Sequence, residues 1–160
     1  ASGVGLFRTE YLYLTHPDVP DEEEQYAAYK EAIDASPNRP VTIRTLDIGA
    51  DKYPSFLGHH KEANPFLGWR SIRVSLELES VFQEQMRAIL RSASSAPLRI
   101  MFPLVTSVEE IRRIRELFAE CVADLAASPP FACVSAVANA LVLALFVLTM
   151  ATSVLRARTA

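Results

Sequence analysis

A chain of 160 residues, half of them hydrophobic, can bury one core and fits a single ordinary domain or a piece of a larger one. Its formal net charge of −3 offers no basic surface for nucleic acid. Two cysteines, Cys121 and Cys133, build neither a disulfide framework nor a metal cage, so a reducing cytoplasm is the expected compartment.

The chain opens inside a motif, at "ASGVGL", with no initiator methionine and without the basic start and apolar run of a signal peptide; it reads as part of something longer. "GVGLF" predicts a first short strand from its β-branched and aromatic content. "DEEEQYAAYKEAIDAS" predicts a helix: its leading acids suit the positive end of the dipole, Tyr26, Tyr29 and Ile33 mark one apolar face, and "SPNRP" stops it. "VTIRTL" is the second strand. "SVFQEQMRAILRSAS" opens with Ser80 and carries Gln83 three residues on, the spacing of a capping box. "LRIMFPLV" is the third strand. Ser107 and Glu110 repeat the capping spacing ahead of Ile111, Ile114, Leu117, Phe118, Cys121 and Val122, an amphipathic helix. Strands alternating with helices predict a parallel α/β fold. Three strands are too few for a closed barrel, which needs eight and roughly 200 residues.

The composition changes abruptly near residue 125, which divides the chain into an α/β unit over 1–125 and an apolar tail over 126–160. "FACVSAVANALVLALFVLTMATSVL", from Phe131 to Leu155, holds no charge and exceeds the roughly 20 residues that cross a bilayer. Three readings of it stay open: a transmembrane helix, a translated frame shift, and a buried globular helix.

Parallel α/β folds present function at the carboxyl ends of their strands. Arg8 leaves the first strand there, and Arg44 stands late in the second. A guanidinium is permanently charged and offers a fixed fork of donors to phosphate or carboxylate. Glu10 and Asp47 follow close enough to orient these arginines by ion pairing, and "GWR" supplies a third candidate, Arg70. An isolated arginine at a strand end is ordinarily a solvated or salt-bridged surface residue. Two strand–Arg–Thr–acid patterns and the glycine-punctuated "DIGADK" loop bring an anion site level with that plain reading.

"GVGLFRTEYLY", "RTLDIGADK", "EANPFLGWRSIR", "QMRAILRSAS" and "LRIMFPLVTSVEE" stand in the order found in enzyme I of the bacterial phosphotransferase system, which Gly3 to Leu125 resembles. The resemblance implies strands two to four of a TIM barrel that binds phosphoenolpyruvate (PEP). Arg8 and Arg44 match the arginines that hold its phosphoryl group in that family, and Arg70 matches a third arginine near the site. It also implies Mg²⁺ as cofactor, a phosphohistidine domain and the carrier HPr as phosphoryl acceptors, and a homodimer in the full-length parent.

The departures are as informative. Ala50 stands where the family has the second glycine of its DIGGDK loop, and Ala63 where it has a glutamate. The family's Mg²⁺-binding glutamate and aspartate, an asparagine, a further arginine and a late catalytic cysteine have no counterpart, so this chain alone is expected to be inactive. His16, His59 and His60 lie in loop-like sequence without a phosphohistidine context, Lys52 reads as a surface lysine, and Cys121 falls on the core stripe of its helix. A membrane-tethered, non-catalytic anion-binding module, anchored through 131–155, and the product of a disrupted gene are the competing readings.

Overall fold

The computed structural model describes residues 2–16, 18–48, 70–93 and 97–128. The "DIGADK" loop from Gly49, the loop up to Trp69 with His59, His60 and Ala63, and the tail with Cys133 and the 131–155 run lie outside the described residues. Three strands, β1 (Val4–Arg8), β2 (Val41–Arg44) and β3 (Leu98–Met101), form a parallel sheet in the order β1-β2-β3. Between them run α1 (Glu10–Thr15), α2 (Glu22–Asp34), α3 (Ile72–Glu77) and α4 (Glu79–Ser92), and α5 (Val108–Ala127) follows β3. The alternation expected from the sequence is present, and its order is that of consecutive units of a barrel-type domain. Among the described residues, no helix is long and apolar enough to cross a membrane.

Register explains which residues see the helices. Val41 pairs with Leu98 and Ile43 with Ile100, so these four apolar side chains share one face of the sheet. In β1, Val4 pairs with Val41 and Phe7 with Ile43: three residues on one strand span two on the other. That irregularity is a bulge, which turns both Val4 and Phe7 to the helical side despite their odd separation. Gly3 stands just before the strand at φ 154°, where an added Cβ would sit 2.4 Å from the Pro40 carbonyl oxygen; only glycine lets the chain enter β1 there.

Among the described residues, sixteen buried side chains fill the space between that face and the helices, including Tyr29, Ile33, Ile43, Phe82, Met86, Ile89, Leu117 and Cys121. The opposite face carries Arg8, Thr42, Arg44, Arg99 and Met101, and among the described residues nothing packs across it: a Cβ on Gly5 would meet nothing within 4 Å. Among the described residues, β1 and β3 are the outer strands.

Helix boundaries follow local chemistry. Asp21 and Glu24 form a reciprocal capping box at the start of α2, and Ser107 and Glu110 form the expected one at α5. Ser107→Ala is expected to cost about 1 kcal/mol, read from urea denaturation; no change would mean the hydroxyl does not cap α5. The spacing of Ser80 and Gln83 is not used. Helical hydrogen bonding runs through the break at Leu78, from Leu78 N to Val74 O at 2.9 Å and from Phe82 N to Leu78 O at 3.1 Å. Ser80 therefore meets no free helix end, and Gln83 instead donates to Glu120 at 2.9 Å. The third strand stops at Met101, short of the predicted Val105, because Pro103 lacks a donor and Leu104 turns to φ 56°.

Cys121 lies in the core on the stripe of Ile114, Leu117 and Leu125. Burial pushes its thiol up to about 11, so little thiolate forms near neutrality. In a Cys133→Ser background, alkylation of Cys121 at pH 8 is expected to be about a hundredfold or more slower in the native than in the unfolded chain. Equal rates would show that the α4–α5 seam is open.

Candidate functional site

The sheet register brings Arg8 directly beside Arg44, both at the carboxyl ends of their strands and on the same open face. Two like charges placed so closely need counter-charge between them. Glu10, the first residue of α1, supplies it: its carboxylate pairs with Arg44 NH2 on one oxygen and lies 3.7 Å from Arg8 Nε on the other. Asp47 takes the other end of Arg44, with NH1 at 3.0 Å, and lies 3.9 Å from Arg70 NH2. All three arginines picked out in the sequence are thus joined in one chain of contacts, Arg8–Glu10–Arg44–Asp47–Arg70, and both acids stand in the orienting positions expected of them.

Burial grades the members. Glu10 is a buried residue and the Arg44 and Asp47 side chains are 16% exposed, whereas the Arg8 side chain is 71% exposed. Arg44 is the hub and Arg8 the exposed arm. Among the described residues, three guanidiniums against two carboxylates leave surplus positive charge in this cluster. Arg44 Nε and Arg70 Nε are buried donors with no hydrogen-bond partner among the described residues. Such an arrangement can receive the oxygens of an anion.

Ser71 completes the cluster and carries no signal in the sequence. It stands at the N-cap of α3, where a serine ordinarily accepts from the helix. Here its hydroxyl donates to Asp47 and its backbone N–H to the Ile48 carbonyl at 3.4 Å, at φ 53° and ψ −124°. A non-glycine residue in that region is strained, and the strain falls on the residue that follows Arg70.

Glu10 and Asp47 do not fit a Mg²⁺ site, since each carboxylate already faces two guanidiniums, and a divalent cation there would meet their repulsion. No group of three or more His, Cys, Asp or Glu side chains gathers among the described residues. His16 pairs with Glu24 at 3.7 Å, away from the arginines. The cleft of about 610 Å³ between α2, α4 and α5 has its Arg87 and Arg91 already held by Glu22 and Glu23, with Arg91 stacked 4.7 Å over Tyr26.

Fold and cluster together define a parallel α/β unit with an arginine-rich carboxyl edge, the usual functional edge of such sheets. The chain belongs to the family described as PEP-utilising enzyme, PEP-binding domain, which matches residues 1–135. Within it, the chain is similar to the phosphoenolpyruvate-protein phosphotransferase of Haemophilus influenzae, 46% identical over 125 residues that make up 78% of this chain and 22% of that protein. The protein of the same name from Priestia megaterium is 47% identical over 118 residues, 74% of this chain and 21% of the relative. That from Staphylococcus aureus (strain MSSA476) is 46% identical over 120 residues, 75% and 21% respectively. The resemblance read from the motifs is thereby borne out. The chain spans about a fifth of the length of these relatives.

Proposed function

We propose that this chain supplies the phosphoryl-gripping part of a PEP site in a PEP–protein phosphotransferase of the phosphotransferase system. The observation that carries this reading is the single contact chain joining Arg8, Arg44 and Arg70 on one sheet edge. Phosphoryl transfer needs chiefly positioning and charge neutralisation. Arg44, held from both ends by carboxylates, keeps a fixed fork for the phosphoryl oxygens. Arg8, mostly in solvent, can swing onto the ligand, and Arg70 flanks it from α3. In the complete parent the phosphoryl group passes to a histidine on a phosphohistidine domain and on to HPr, in the cytoplasm, with Mg²⁺ as cofactor and a homodimer as the working unit. Residues 1–125 form the slice of barrel that serves this site.

By itself the chain binds but does not turn over. Incubated with PEP, Mg²⁺, HPr and the parent's phosphohistidine domain, it is expected to release no pyruvate above a protein-free control. Steady pyruvate release, followed by coupling to lactate dehydrogenase, would contradict this. Binding itself is tested by calorimetric titration with PEP, where saturable heat supports the reading and its absence removes it.

A further inference from the structure

A buried polar relay runs beneath the site and ends on its backbone. Leu46, between Arg44 and Asp47, donates its N–H to Gln85 Oε1 at 3.0 Å. Gln85 Nε2 donates to the Tyr29 hydroxyl at 3.2 Å, and that hydroxyl donates to Gln25 Oε1 at 3.0 Å. Gln25 Nε2 donates to the Pro20 carbonyl at 2.9 Å, and Tyr13 donates to Gln25 Oε1 at 3.1 Å. Gln25, Tyr29, Tyr13 and Gln85 are all at most 1% exposed.

The relay has one polarity. A backbone N–H can only donate and a backbone carbonyl can only accept, so the two ends fix the orientation of both amides and both intermediate protons. Burial of Tyr29 raises its phenol, which stays neutral and keeps its proton in the chain. No other arrangement satisfies every member, and an unmet buried amide is costly.

What the relay holds is the pair of acids that aim the arginines. Thr45 is tied to β3, its N–H reaching Met101 O at 3.0 Å, and Leu46 is tied to α4 through Gln85. These bonds hold the two peptide planes that lead into Leu46, so the backbone is anchored one residue before Asp47. Tyr13 lies one turn beyond Glu10 on α1, so the same relay also grips the element that carries the other acid. We propose that Gln85 is a positioning residue: through the Leu46 N–H it fixes Asp47, and hence the separation of the Arg44 and Arg70 guanidiniums. The consequence for affinity rests on the PEP reading above; the consequence for geometry does not.

The test replaces Gln85 with methionine, which keeps the length and apolar bulk but removes both amide functions. In the ligand-free 160-residue chain, the Leu46 amide and the Nε–H resonances of Arg44 and Arg70 are expected to move. The exposed Arg112 Nε–H resonance should stay. PEP affinity is expected to fall about tenfold in the folded protein. Unchanged guanidinium resonances together with unchanged affinity in a folded Gln85→Met chain would overturn the proposal and leave the relay a packing device only. Should that variant fail to fold, Tyr29→Phe removes one oxygen and keeps the ring against Phe7. The same resonances must then shift to a smaller extent, and their constancy would overturn the proposal equally. If the unsubstituted chain does not bind PEP at all, the functional reading falls, while the ligand-free resonances still decide the role of Gln85.

Discussion

Replacing Arg44 with glutamine is expected to lower the affinity for PEP by about a hundredfold, ~2.7 kcal/mol, the largest loss from any single change in the site. The reason lies in its position as the hub. Among the described residues it is the one arginine that contacts both Glu10 and Asp47, and its side chain is mostly buried. The same change is expected to lower folding stability by on the order of 3 kcal/mol, because among the described residues buried Glu10 then keeps only the 3.7 Å contact with Arg8. Arg8→Gln provides the contrast. Its side chain is largely in solvent and its ion pair is long, so stability should change by no more than about 0.5 kcal/mol while PEP affinity still falls. Urea denaturation and PEP titration of both variants separate the two roles. Equal stability losses, or full affinity in either variant, would contradict the division into hub and arm.

The second large effect is structural. Phe82 is 2% exposed, sits among Ile43, Met86 and Ile100 in the core, and meets Phe102 edge-on with centroids 6.2 Å apart. Phe82→Ala removes that ring from the place where α4 closes over the end of β3. The expected cost is about 3–5 kcal/mol, combining lost burial with the cavity left behind. Against a total of roughly 5–15 kcal/mol for an ordinary domain, such a loss is enough to depopulate the native state. Among the described residues, this cluster is the larger of the two cores, so the tolerance of larger proteins is not expected. A shift in the urea midpoint worth less than about 1 kcal/mol would show that the helices do not pack on the sheet as described.

Much of this was visible in the residues. The three strands, the α2 and α5 helices, the Ser107 cap and the core position of Cys121 follow from periodicity and turn chemistry, which are local. Arg8 and Arg44 were legible because strand-end guanidiniums followed by acids form a repeated pattern, Arg70 stood out only in its "GWR" motif, and the order of motifs pointed to the family. What stayed hidden depends on contacts between distant segments. Ser80 has a capping sequence but no helix end to cap, because α3 runs into α4 through Leu78. Gln25 and Gln85 break the apolar stripes and look like surface residues, yet they are buried because each meets a partner from a distant segment, Tyr13 for Gln25 and Leu46 for Gln85. The bulge in β1 reverses the simple alternation of its side chains, and only the pairing with β2 reveals it.

The central claim is that Arg8, Arg44 and Arg70 together receive the phosphoryl oxygens of PEP. Titrating PEP into the ¹⁵N-labelled chain and following the arginine Nε–H resonances tests it most directly. The account predicts that these three resonances shift together and saturate with one dissociation constant, while those of Arg87, Arg91 and Arg112 do not. Shifts confined to other arginines, or no saturable change in Arg44, would contradict it.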